Sequence, residues 1–263
     1  MGERKKYRRG RRKKKKGGII STLILIIAIA VFCVSGYQLY KIFGGYHQGK
    51  SEYDKVREVA VHGDDKDEDE FVVDFDELKK INADTVGWIR FYPEPSQISY
   101  PLVQTTDNDL YLNRTFSANE NTVGAIFVNC DNASDFSDRN TIIYGHRMRD
   151  HSMFHDLEKY EDESFWKENP YFYIYTPDGR KLTCHIYSAG IVKDTSSTYL
   201  TQFASDEEYQ AFLDDTKRAG AYHTGVEVTT DQRVVTLSTC TAASDDNRMV
   251  VRGVIESEDV VKK

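Results

Sequence analysis

From Gly17 to Tyr40 the chain runs for 24 residues without a charge, and most of them are Ile, Leu, Val, Ala or Phe. A helix rises 1.5 Å per residue, so about 20 apolar residues cross the roughly 30 Å hydrocarbon layer, and this run is long enough to span it. A cleaved signal peptide has a shorter apolar region, about 7–15 residues, ending at a small-residue cleavage site. Here the run closes on Tyr37-Gln38-Leu39-Tyr40-Lys41, an aromatic interfacial edge, so an uncleaved transmembrane anchor is expected over residues 17–43.

The segment before it fixes the expected orientation. Met1 to Lys16 holds eleven Lys or Arg against one Glu, a local +10 within a formal net charge of -7, which leaves -17 on the rest. A basic tract alone also fits a nucleic-acid arm. Directly before an apolar span it reads instead as a cytoplasmic tail, placed to meet anionic headgroups, with everything from Lys41 onward outside the membrane and no nucleic acid as partner.

Residues 44–73 read as an extracytoplasmic linker or helix. Tyr46 to Val61 is polar and helix-compatible, whereas His62 to Glu70 is an acidic stretch without apolar period, a solvated loop lacking the spacing of a calcium loop. The main domain is expected over residues 74–257. Asp74 to Ile81 has capping acids and Phe75, Leu78 and Ile81 at three-residue intervals, a short amphipathic helix.

Beyond it come eight β-branched and aromatic segments: Val86–Phe91, Ile98–Val103, Gly124–Val128, Thr141–Tyr144, Tyr171–Tyr175, Leu182–Val192, Arg233–Leu237 and Met249–Ile255. Thr176-Pro177-Asp178-Gly179 is a hairpin turn, and the pattern predicts a mainly β, mostly antiparallel barrel or sandwich. Helices are expected at Ser152–Tyr160 and, with a Ser cap, acids first and basic residues last, at Ser205–Arg218.

Cysteine is sparse. Cys33 falls in the span, while Cys130, Cys184 and Cys240 are far apart with no C-x-x-C pair, so neither a disulfide scaffold nor a zinc ribbon is indicated. Three external thiols leave at least one unpaired. Cys240 ends the strand-like Thr236-Leu237-Ser238-Thr239, where a thiolate would be rigidly aimed and the following loop would leave it accessible. Its alternative is a buried cysteine acting as a small hydrophobe.

Arg248 opens the next strand, eight residues later, and would place a cation near that thiol; its ordinary reading is a surface ion pair with Asp245 or Asp246. Ile142-Ile143-Tyr144-Gly145-His146 is another apolar strand that stops and presents an imidazole, the group that can exchange protons with a thiol and a leaving amine near neutral pH. His151 and His155 are four apart, but with no third ligand apparent no metal site is expected.

These motifs resemble the sortases: Thr236 to Cys240, then Arg248, with Tyr144-Gly145-His146 upstream. The resemblance is to class B, through Asp107 to Leu112, Asp135 to His146, Gly225 to Val228 and the long helix-bearing insertion between Val192 and Arg233, and it covers Phe75 to Ile255. It implies an eight-stranded sortase-type β-barrel with N-terminal helices and a helix in the long loop before the cysteine strand, after one transmembrane helix.

It further implies a cysteine transpeptidase without cofactor, in which Cys240 attacks after the Thr of a C-terminal sorting signal, His146 is acid and base, and Arg248 stabilises the oxyanion, helped by the N–H of Thr241. The partners implied are secreted proteins carrying the signal and an amine of peptidoglycan precursor or of a pilin. Substrate contacts are expected at Asn108, Leu112, Thr195, Tyr199, Leu200, Ser238 and Thr241, against ordinary packing or loop capping. Some class B members have an acid directly after the cysteine; here Thr241-Ala242-Ala243-Ser244 follows. The rivals are a pilin-polymerising enzyme, a thiol hydrolase, and a non-catalytic, membrane-tethered β-domain that binds envelope components.

Overall fold

A computed structural model describes residues 17–63, 70–242, 244 and 246–261, and the chain divides into two compact units between Gly44 and Gly45. The basic tail, residues 64–69 of the acidic stretch, and Asp245 lie outside the described residues. In the first unit the charge-free run is helical, the beginning of α1 (Gly17–Ala60), and its large apolar side chains from Leu23 to Phe43 are exposed. Among the described residues this is the one helix long and apolar enough to cross a membrane.

In the second unit the polar part of α1 is helical up to Ala60, one residue short of the helix-compatible stretch. The flanks of the acidic segment are more ordered than a solvated loop: β1 (Val61–His62) pairs antiparallel with β2 (Val72–Val73). The amphipathic helix is present as α2 (Phe75–Ile81), where the Asp74 carboxylate accepts the N–H of Glu77 at 3.0 Å and Leu78 is buried.

The eight expected strands are β3 (Thr85–Phe91), β4 (Ser99–Val103), β5 (Ile126–Val128), β6 (Asn140–Tyr144), β7 (Tyr171–Tyr175), β8 (Arg180–Lys193), β9 (Val234–Cys240) and β10 (Asn247–Val260). They close a barrel in the order β10-β8-β7-β3-β4-β5-β6-β9, so no edge is left open. All neighbours run antiparallel except β4–β5 and β6–β9, which are parallel. Gly179, at φ +88°, closes the β7–β8 turn with its N–H on the Thr176 carbonyl at 2.9 Å.

Alternation on β9 and β10 shows which face is which. Val235, Leu237, Met249 and Val251 belong to the large core cluster, whereas Val234 and Val254 pack with Tyr187, Tyr209, Phe212 and Leu213. Tyr209, Phe212 and Leu213 come from α4 (Asp206–Arg218), capped by Ser205, whose Oγ accepts the Glu208 N–H at 3.2 Å. Burying each such side chain stabilises by about 1.5–3 kcal/mol, which docks α4 on the outer face of the barrel.

The helix expected at Ser152–Tyr160 forms later and tighter, as a 3-10 helix at His155–Glu161, followed by α3 (Glu163–Glu168). His151 and Met153 stand at φ +65° and +58°, which helical backbone forbids, so no helix forms before His155.

Candidate active site

Three strands converge at one rim of the barrel. Parallel β6 and β9 are aligned with Tyr144 level with Ser238, and the ladder continues one step further where the Gly145 N–H donates to the Ser238 carbonyl at 3.2 Å. His146 on one strand end and Cys240 on the next therefore leave the barrel side by side. Antiparallel β9 and β10 place Arg248 directly opposite Cys240. Opposed residues project to one face. The core assignments above put Ser238, Cys240 and Arg248 on the outer face, with Cys240 exposed.

His146 is fixed by the turn before β5. Its Nε2 lies 2.7 Å from the Leu112 carbonyl, which can only accept, so Nε2 carries the hydrogen and a neutral ring has its lone pair on Nδ1. Gly124 backs the ring at φ +66°: a Cβ there would sit 2.7 Å from His146 Cδ2 and 2.8 Å from the Tyr111 carbonyl. Buried Tyr53, from the end of α1, locks that turn by donating to the Gly124 carbonyl at 2.7 Å and accepting the Phe116 N–H at 3.1 Å.

The other wall is the β8–β9 connection. Tyr199 stacks on Tyr144 with centroids 6.3 Å apart, and its hydroxyl is 2.9 Å from Ser238 Oγ. Burial pushes the Tyr199 phenol above its usual range and raises Tyr144 to about 12, and the Tyr144 hydroxyl accepts from Asn129 Nδ2 at 3.2 Å. A buried polar cluster holds this connection down: Asn140 Nδ2 donates to the carbonyls of Thr198 (3.2 Å) and Leu200 (2.7 Å), Thr236 Oγ1 donates to Asn140 Oδ1 at 2.8 Å, and Arg252 donates to Thr198 Oγ1 at 2.7 Å.

The expected residues are thus only partly assembled. Cys240, Arg248, His146, Ser238 and Tyr199 share the rim, and Leu112 meets it through its carbonyl instead of its side chain. The Asn108 side chain is committed to the Cys130 N–H at 2.9 Å, while Thr195 and Leu200 are exposed on the connection. The Thr241 N–H makes a long 3.4 Å bond to the Asn247 carbonyl. Among the described residues, Arg248 Nη2 lies 3.7 Å from Asp194 Oδ2, across from the Cys240 loop. Asp194, Tyr144, Asn140, Gly124 and Arg252 carried no isolated signal in the sequence; each acts through a contact distant along the chain.

A peptide carbonyl held against this rim would meet a thiol, a guanidinium facing it across one ladder step, and an imidazole beside it, the set that acyl transfer through a thioester requires. Comparison with known proteins agrees. The family model described as the sortase domain matches residues 94–256. A curated Sortase B of Staphylococcus aureus (strain NCTC 8325 / PS 47) is 31% identical over 231 residues, 88% of this chain and 93% of its own.

Among solved structures, sortase B from Bacillus anthracis in complex with AAEK1 is similar with a TM-score of 0.70 at 32% identity, covering 84% of this chain and 100% of that one. A Staphylococcus aureus sortase B–substrate complex gives 0.65 at 35% identity, covering 72% and 85%. The chain belongs to the sortase family of cysteine transpeptidases. Within that family it falls in class B.

Proposed function

We propose that Cys240 is the nucleophile of a transpeptidase that cleaves a C-terminal sorting signal after Thr and passes the protein to a cell-wall amine. The observation that carries this reading is the register: Arg248 opposite Cys240, with His146 leaving the adjacent parallel strand at the same end. The Cys240 thiol gives its proton to His146 Nδ1, the thiolate adds to the Thr carbonyl, and the oxyanion forms beside the Arg248 guanidinium. The C–N bond then breaks, the departing amine takes a proton from His146, and a thioester remains. An incoming amine adds to that thioester, gives its proton back to His146, and the thiolate leaves.

Tyr199 and Ser238 form the wall beside the nucleophile, with Ser238 acting through the Tyr199 hydroxyl because its own side chain is buried. That a relative was solved as a substrate complex supports a substrate groove on this chain. The apolar part of α1 serves as the anchor, with the catalytic domain extracytoplasmic, in line with the basic tail before it.

Full chain in detergent micelles, mixed with sorting peptides of the NPxTN and PxTG types with and without an amine acceptor, tests the reading by mass spectrometry. An acyl adduct on Cys240 that amine converts to ligated product supports it. An adduct that only water resolves makes the protein a thiol hydrolase, and no adduct with any peptide leaves a binding domain.

A further inference from the structure

His151, His155 and Asp156 lie in the segment that follows His146, and the function above uses none of them. The segment folds back tightly: Arg147 bridges Met153, and the Phe154 N–H donates to the His146 carbonyl at 2.9 Å. The left-handed backbone at His151 and Met153 returns His151 onto the start of the 3-10 helix that His155 opens. As a result each of the three residues offers one ligand atom within 4.8 Å of the other two. The third ligand that four-residue spacing did not reveal is thus the residue immediately after His155.

We propose that His151, His155 and Asp156 bind a divalent transition metal of the zinc class. Two imidazoles and one carboxylate are donors for such ions, whereas calcium and magnesium take oxygen sets. Metal bonds of about 2.0–2.2 Å in a tetrahedron put ligand atoms about 3.4 Å apart. His151 Nδ1 and Asp156 Oδ1 already stand at 3.3 Å, and the imidazole rings at 4.0 Å between centroids. The other two edges are at most 4.8 Å, so closing them needs movements of up to about 1.4 Å, and His151, 68% exposed at its side chain, has room to swing.

Two further observations point to a ligand. His155 Nδ1 is buried and has no hydrogen-bond partner, which leaves a polar atom unsatisfied in an otherwise well-paired segment. Asp156, only 5% exposed at its side chain, is oriented by Lys159, whose Nζ holds Oδ2 at 2.8 Å and leaves Oδ1 toward His151; such outer partners commonly aim metal-binding carboxylates. The lysine's charge opposes a cation, so moderate affinity is expected. Access comes from the cleft of about 340 Å³ that His151 lines together with Asp150, Asp54 and Lys50. A fourth, water-filled position would face it.

The test is calorimetric titration of zinc chloride into full chain in detergent micelles, made without a polyhistidine tag and carrying Cys240→Ala so that the exposed thiol does not compete. One zinc per chain is expected, with a higher unfolding midpoint in its presence. His151→Gln and Asp156→Asn should each weaken binding at least about tenfold and remove the rise in midpoint, while His47→Gln changes neither. His151 is exposed, so its variant reports on binding even if the Asp156 variant folds poorly. Absence of saturable zinc binding, or binding that His151→Gln leaves intact, overturns the proposal.

Discussion

Arg248 and Arg252 stand four residues apart on the same face of the same strand, each opposite a β9 residue: Cys240 for the first, Thr236 for the second. Their surroundings differ. Arg252 is fully buried, with Nη1 donating to Ser188 Oγ at 3.0 Å and Nη2 to Thr198 Oγ1 at 2.7 Å. Arg248 is partly open at the rim, near Asp194 and its own neighbour's carbonyl. Strand geometry thus supplies two equivalent guanidinium positions, and the covering loop decides between them. Where the β8–β9 connection lies over the strand, the cation is a structural clamp; where it stops short, the cation faces solvent and a thiol.

Cys240→Ala is the most damaging change expected at the open end. Thioester formation should fall to the detection limit in a peptide-cleavage assay, while the denaturant midpoint stays put, since an exposed thiol contributes within about 0.5 kcal/mol to stability. The two arginines come next and should part company. Arg248→Ala is expected to lower kcat about 10²–10³-fold with stability nearly unchanged. Arg252→Ala should cost about 3 kcal/mol of stability through a cavity and orphaned hydroxyls, read from urea unfolding. If Arg252→Ala left stability intact and removed activity, the division between clamp and catalytic cation would be wrong.

Gly124→Ala sharpens the same contrast from outside the three strands. The methyl group must enter a left-handed backbone and displace the His146 ring or the Tyr111 carbonyl. A misplacement near 1 Å can cost about 100-fold in rate, so the expected outcome is a kcat loss up to about that size. Thioester formation and aminolysis should both slow, because in the proposed reaction the same imidazole serves both. A variant that crystallised with His146 unmoved and full activity would deny Gly124 this positioning role.

How much of this was readable before the fold was known follows a physical line. The strands, the α4 cap at Ser205 and the Thr176–Gly179 turn are written in local pattern, and all are found. Cys240, His146 and Arg248 stood out because each ends or begins an apolar strand and their order resembles a family's, and the fold brings their strand ends to one rim. What stayed hidden depends on contacts between distant segments. The Leu112 carbonyl reaching His146, Asp194 beside Arg248, and Asn140 holding Thr198 and Leu200 come from elements 34, 54 and 58 or 60 residues away. The late start of the His155–Glu161 helix was hidden for another reason, since nothing in their side chains announces positive φ at His151 and Met153.

The smallest effect expected is that of Tyr199→Phe, which tests whether the wall beside the nucleophile tolerates a lost hydroxyl. The phenol's bond to buried Ser238 Oγ is a neutral one, so about 1 kcal/mol and a several-fold rise in KM are expected, with kcat nearly unchanged. Burial raises the Tyr199 pKa, opposed by the Ser238 bond and the Arg248 charge. A raised folded value means its contribution to stability is complete below the unfolded tyrosine value near 10 and fades as pH climbs through the folded one. Measured by urea unfolding from pH 9 upward, the parent should therefore lose stability more steeply than Tyr199→Phe, which has no proton to release there. Equal slopes would mean that Tyr199 is solvated in solution and that the connection over Ser238 opens, extending the open end of the face towards Arg252.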